Sequence, residues 1–268
     1  MILDAFKELL MRNFVMIMLV AVFAISAGAQ PSRPADKIAM DVTAHFQVEA
    51  NESKDFAIPF AAGEFVVVLD LKRSDGMSSN ITGGIKLLKS NGSIVNDNIL
   101  HVNVIHVINR SMASIKVASP FTARLRVMMD QQLEGWITVV PAAKMHFVPF
   151  GFPNGELLPL AIGNEQAKGG ELEPHSWAFH TIKLPAGKWN VSLYLAQTDN
   201  NKTNLQGNLQ QLTEFGVIEP NTEIHMNEVD LEARKERMLV LTKPRTLIFR
   251  VSTEERKLKY DITIEKAE

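Results

Sequence analysis

A self-match at constant offset constrains this chain more than any other feature. Displaced by 124 residues, positions 49–130 lie on positions 173–254 without a gap, and 20 of those 82 positions are identical. Ordinary residue usage would give about five. The identities are of two kinds. Apolar pairs such as Val67/Val191, Leu69/Leu193 and Leu71/Leu195 recur at every second position, and corner residues such as Gly63/Gly187, Gly92/Gly216 and Pro120/Pro244 punctuate them. Period-two alternation between Gly/Pro/Asn/Asp turns specifies β-strands and the bends that join them. A unit of about 100 residues repeated in tandem is large enough to bury its own core.

Each copy reads as β throughout. Residues 65–71 and 189–195 place large apolar side chains at 65/67/69/71 and 189/191/193/195, all on one sheet face. Residues 123–127 and 247–251 alternate again, and 136–139 and 260–264 close the copies. After the first 30 residues, no segment sustains a 3.6-residue period over helix length. The expected architecture is all-β: two tandem jelly-roll-like β-sandwiches related by internal duplication, preceded by an N-terminal signal helix. The expected boundaries are 1–29 for the signal peptide, 30–40 for a flexible leader, 41–149 for copy one and 150–268 for copy two. The joint carries Phe147, Phe150 and Phe152 followed by 157-LLPL-160, so it is expected to pack and to hold the copies at a fixed angle.

Residues 14–27 form an unbroken apolar run, preceded by Lys7 and Arg12 and followed by Ala27-Gly28-Ala29. Basic residues, a short apolar stretch and a small-x-small site describe a secretory signal peptide, and the run is short for a bilayer span, which needs about 20 apolar residues. Met11 is an alternative start, and an uncleaved run would leave a membrane tether. The chain has no cysteine, so an exported product is held by its cores alone. Disulfide scarcity of this kind points to a bacterial source. The product is expected to be soluble, in the periplasm or outside the cell. The six Asn-x-Ser/Thr sites (Asn51, Asn80, Asn91, Asn109, Asn190 and Asn201) read as turn and outward-face residues rather than glycan acceptors. Net charge is -2 with both signs interspersed, which excludes the clustered basic face of a nucleic-acid binder.

The stretch from Phe56 to Leu69, containing Ala62-Gly63, and its partner from Phe179 to Leu193, containing Pro185-Ala186-Gly187, resemble the bacterial pre-peptidase C-terminal domain: an apolar strand, a short corner, then an alternating strand. That resemblance implies a small jelly-roll-like accessory sandwich of the kind appended to secreted enzymes. The chain departs from it at Gly83-Gly84 and Gly207-Asn208, where the family commonly places an acidic residue, and it carries no peptidase domain.

No motif for catalysis is present: there is no HExxH, no GxSxG, no phosphate loop and no cysteine nucleophile. The expected function is that of a non-catalytic exported module for binding, adhesion or assembly, with a protein or glycan partner at the cell surface or in the periplasm. Three alternatives stand beside it: a carbohydrate-binding accessory protein, a hydrolase with residues distant in sequence, and a membrane-tethered subunit. Four residues, Asp75, Asn80, Asp199 and Asn204, recur in register and could form a Ca²⁺ loop, although one carboxylate per loop falls short of what calcium prefers and a side-chain-capped turn explains them. For sugar stacking the candidates are Trp177, Tyr194 and Phe179 in copy two, where copy one has Ser53, Asp70 and Asp55. His101/His225 reads as a structural pair bonding across strands.

Overall fold

The computed structural model describes residues 34–74, 80–105, 107–163, 169–199 and 201–267. The apolar leader lies outside them, as does Asp75. Among the described residues there is no α-helix. A single 3₁₀ turn, Ala142–Lys144, interrupts eighteen strands.

Copy one contains β1 (Asp36–Lys37), β2 (Ala44–Val48), β3 (Glu52–Phe60), β4 (Gly63–Arg73), β5 (Asn80–Lys89), β6 (Ile94–Ile105), β7 (Ile108–Val117), β8 (Phe121–Met129) and β9 (Leu133–Pro141). Copy two contains β10 (Leu157–Pro159), β11 (Gly170–Leu172), β12 (Trp177–Leu184), β13 (Gly187–Gln197), β14 (Thr203–Leu212), β15 (Ile224–Asp230), β16 (Glu232–Leu241), β17 (Arg245–Thr253) and β18 (Leu258–Lys266). The sheets are strand-for-strand equivalents. A five-stranded sheet runs β1-β3-β8-β5-β6 in one copy and β10-β12-β17-β14-β15 in the other. The four-stranded sheets run β2-β9-β4-β7 and β11-β18-β13-β16. Strands β4/β13, β7/β16 and β8/β17 keep the 124-residue offset to the residue. Apart from the short parallel pairings β1–β3 and β10–β12, neighbours are antiparallel. The leader joins the sheet earlier than its expected end at residue 40: Asp36–Lys37 pairs with β3, and Ile38 is buried in the core and donates its N–H to Ala57 O.

Each copy has its own core, and alternation sets which side chains enter it. Phe65, Val67, Leu69 and Leu71 point inward in copy one; Trp189, Val191, Leu193 and Leu195 do so in copy two. Phe65 and Trp189 therefore face equivalent interiors. The corner before each of these strands turns on a glycine at φ +148°, Gly63 and Gly187, a backbone region closed to most side chains.

The two sandwiches belong to one compact unit, residues 35–268. Residues 142–155 fold back over the outer face of copy one's four-stranded sheet, where Val148 is buried against Val68 and Val140 beside Met145 and Met112. The outer face of copy two's five-stranded sheet closes over the same segment: Phe150, Phe152, Trp177, Phe179, Leu212 and Ile248 make one cluster with Ile108 of copy one. Gly151 lies against Trp136 so closely that an added Cβ would stand 2.2 Å from the ring. The joint packs as its aromatics predicted.

Candidate functional site: a recess on the outer sheet of copy two

The docking contact fixes the recess, so it comes first. Arg110 projects from β7 on the outer face of its sheet and is buried with Asp70, its cross-strand partner. Nε and Nη2 donate to the two carboxylate oxygens at 2.6 and 2.7 Å. The three remaining N–H groups reach backbone carbonyls of Val148 (2.6 Å), Pro149 (3.2 Å) and, across the joint, Phe215 of copy two (3.0 Å). A guanidinium has five donors, and all five are used. Its plane lies 4.0 Å from the Phe150 ring centroid, and Phe150 in turn stacks on Phe179 at 4.1 Å and 14°. Asp70 also accepts from Gly151 N.

Copy two's outer face is built in three transverse rows, each made of side chains that register across the strands. The first is Thr181–Ile248–Leu212, in which Ile248 and Leu212 are buried in the joint and the Thr181 hydroxyl donates to Leu247 O. In the second, Phe179–Arg250–Gln210, the buried Arg250 donates Nε and Nη2 to Gln210 Oε1 and Nη1 to Ile108 O of copy one (2.9 Å). Burial lowers the Arg250 pKa to about 10, with the Glu223 carboxylate opposing the shift, so the side chain remains a cation at neutral pH. The third row, Trp177–Ser252–Asn208–His225, crosses four strands and leaves the joint along its length: Trp177 is buried in it, Ser252 and Asn208 are half-buried and His225 is exposed.

That third row lines a recess of about 500 Å³ together with Val107 and Ile108 of copy one and with Arg250, Glu223 and Glu254 of copy two. The volume falls in the range of about 300–1,000 Å³ usual for small-molecule sites. His175 overhangs the recess from a tight turn. Its φ is +53°, and its N–H reaches Glu254 O at 2.6 Å. Two nitrogens on the lining, His175 Nδ1 and Trp177 Nε1, are sealed from solvent and have no hydrogen-bond partner among the described residues. A buried donor without a partner costs about 1–3 kcal/mol. In copy one the corresponding row is Ser53–Met128–Gly84–His101, and Asn51 (φ +60°) takes the place of His175. The side chains that copy two contributes to the recess are therefore not repeated in copy one, apart from the pairs His101/His225 and Arg126/Arg250.

The sequence candidates distribute unevenly. Trp177 and Phe179 face outward on β12 as alternation requires, but they are not exposed platforms for sugar stacking: both are buried, because the linker and copy one cover that face. Phe179 is wholly committed to the joint, whereas Trp177 keeps one edge on the recess. Tyr194 lies on the other sheet. Its hydroxyl donates to Glu232, which raises its pKa to about 12. The three aromatics thus do not form one site.

The calcium candidates do not share one kind of backbone: Asp199 stands in the bend after β13, while Asn80 and Asn204 lie in β5 and β14. Asp199 accepts from the backbone N–H and the side-chain amide of Asn201, which lowers its pKa, and Asn80 bonds Asn103. Asn204 Oδ1 is buried, and Asp75 lies outside the described residues. No cluster of three or more His, Asp or Glu able to hold a metal occurs among the described residues. His225 Nδ1 lies 2.5 Å from the Asn208 side chain on the neighbouring strand, a cross-strand contact as expected. Sequence reasoning missed His175, Asn208, Glu223 and Glu254, which come from four separate segments.

No protein-family model matches the chain, and no curated protein matches it. Among solved structures, the N-terminal CBM22-1–CBM22-2 tandem domain of Paenibacillus barcinonensis Xyn10C is 12% identical and has a TM-score of 0.26, covering 79% of this chain and 82% of its own. Arthrobacter globiformis T6 isomalto-dextranase complexed with panose is 10% identical with a TM-score of 0.26, covering 83% and 34%. The CUB1-EGF-CUB2 domains of rat MASP-1 are 8% identical with a TM-score of 0.24, covering 86% and 100%. Overlaps this loose carry no argument for function, and the fold rests on the strand order itself.

Proposed function

We propose that the chain is a non-catalytic binding protein that works outside the cytoplasm, a rigid pair of accessory sandwiches that seats its ligand in the recess beside the joint. The observation that carries this reading is the recess itself, a largely polar-lined volume of about 500 Å³ in the size range of small-molecule sites, whose His175, Trp177, Asn208 and Glu254 are replaced in copy one by Asn51, Ser53, Gly84 and Asp130. The apolar run at 14–27 supports export, and the corner motifs that resemble the pre-peptidase C-terminal sandwich fit an accessory role.

Thermal unfolding screened against a library of small polar molecules tests the reading, with wild type and Ser252→Tyr run side by side. The variant projects a ring from β17 into the recess and leaves the joint's aromatic cluster in place. Stabilisation by one or more compounds that is lost in Ser252→Tyr supports the recess as the site. Hits indifferent to the substitution, or no hits at all, refute it.

A further inference from the structure

We propose a second site, independent of the recess: a crevice between the two sheets of copy two that takes a small organic anion by its apolar end, with Arg237 holding the charge at the mouth. The crevice has a volume of about 170 Å³. Val191, Leu209, Ile224, Leu239 and Phe249 wall it. It lies along the edge strand β16, beside the exposed Met238 and Val240.

The walls set the apolar end of the ligand. A cavity of about 150 Å³ lined by leucine, isoleucine and phenylalanine takes benzene, so a crevice of this size and lining admits a single ring or a short branched chain. It disfavours a polyol, whose hydroxyls would find no partners on those walls. The neighbouring polar groups are already engaged: the Thr222 hydroxyl donates to Glu219 O at 2.6 Å, and the Gln211 amide donates to the Glu219 carboxylate. Among the described residues that line the crevice, none is acidic.

Arg237 sets the other end. In register it stands opposite Val191, on the side of β16 that faces the core, yet it is exposed. Its guanidinium makes no hydrogen bond, ion pair or ring contact among the described residues. Copy one has Ala113 opposite Val67 at this place, whereas the five wall positions are apolar in both copies: Val67, Ile85, Leu100, Ile115 and Leu125 are the counterparts. The cation is therefore what copy two adds to an interior that both copies share. A guanidinium offers a planar fork of donors that meets a carboxylate or phosphate in two parallel bonds. A cationic ligand would be repelled there, and a neutral one would leave the fork unused.

The test is calorimetric titration of the whole chain with benzoate, phenyl phosphate, benzamide and benzylamine. Benzamide keeps the shape of benzoate without its charge, and benzylamine reverses the sign. The expected result is that one or both anions bind, and that the tighter of the two names the head group. Affinity should fall roughly tenfold in Arg237→Gln and be lost in Leu239→Trp, which fills the crevice from the half-buried edge strand. Ser252→Tyr, which blocks the recess, should leave anion binding unchanged, so the two sites fail or stand separately. Benzamide binding as tightly as benzoate, or no binding by either anion, would overturn the proposal. Anion binding that survives Leu239→Trp, or that disappears in Ser252→Tyr, would place the anion elsewhere and overturn it too. Anion binding indifferent to Arg237→Gln, with new self-association of that variant on sedimentation, would assign the guanidinium to guarding the sheet edge instead.

Discussion

Arg110 and Arg234 stand 124 residues apart at equivalent places on equivalent four-stranded sheets, yet their surroundings are opposite. Arg110 is buried, makes five hydrogen bonds and reaches across to the second sandwich. Arg234 is exposed opposite Tyr194, where copy one has Asp70. The same divergence runs through the five-stranded sheets. Asp55 in copy one is clasped by Arg126 at 2.8 and 2.9 Å and by Arg124 at 3.2 Å. Its counterpart in copy two is Phe179, which frees the outer face for docking and leaves Arg250 to find Gln210 and the Ile108 carbonyl. Duplication supplied two identical pairs of faces, and packing needed only one of each. The outer faces of copy one's five-stranded sheet and copy two's four-stranded sheet stayed charged, as terminal units of a stacked array do. The recess lies where the docked part of copy two's outer sheet ends.

The largest expected effect breaks the comparison at Arg110. Arg110→Ala strands the Asp70 carboxylate in a dry interface, and removing one partner of a buried pair costs about 3–5 kcal/mol. It also removes the Phe215 bond, so the two sandwiches should cease to unfold together. Calorimetry is expected to resolve two transitions in Arg110→Ala and one in the wild type. Arg234→Ala, at the equivalent surface position, should move the midpoint by no more than about 0.5 kcal/mol. Equal effects at the two arginines would mean that the joint does not explain the burial.

A second contrast lies inside the cores. Copy one has Phe56 where copy two has His180, and both are buried. His180 Nε2 faces the Tyr260 hydroxyl at 3.1 Å, and burial pushes its pKa down to about 4. A histidine free in the unfolded chain titrates near 6.5, so between about pH 6.5 and 4 the unfolded state binds the extra proton. Stability is therefore complete above that window and is lost as pH falls through it, by about 3 kcal/mol at the lower end. His180→Phe with Tyr260→Phe, which leaves no hydroxyl stranded, should flatten this part of the pH profile. Urea midpoints of wild type and variant at pH 7 and pH 4.5 measure the difference. A variant as acid-sensitive as the wild type would place the proton elsewhere.

Alternation and the repeat made the strands, the inward faces of residues 65–71 and 189–195 and the packed joint legible before any coordinates. They could not say what covers an outward face. Trp177 and Phe179 suit sugar stacking only if the face that carries them is open, and a strand's own periodicity carries no information about a neighbour docking on it. A usable signal was present: two polar positions, Ser53 and Asp55, became aromatic in the copy that follows a linker carrying three phenylalanines. Sequence offered no comparable signal for the recess. Its third row takes one residue from each of four strands, and neither Glu223 nor Glu254 is at a spacing that marks chemistry. Likewise Arg110/Arg234 was visible as an identity, but only three dimensions separate the arginine that ties the sandwiches from the one in water.

The smallest expected effect sharpens that last distinction. Tyr194→Asp gives Arg234 the cross-strand carboxylate that Arg110 has, without the linker that covers it. If Coulomb attraction between the pair were what makes Arg110 costly to lose, the new pair should add comparable coupling. An exposed pair is screened by water and must order two flexible side chains, so its worth is about 0–1 kcal/mol. A double-mutant cycle over Tyr194→Asp and Arg234→Ala, read from urea midpoints, is expected to give coupling inside that range. The cycle over Asp70→Asn and Arg110→Ala should exceed it severalfold. Coupling of similar size at both sites would show that the charges themselves, rather than their enclosure by residues 142–155 and copy two, set the strength of the joint.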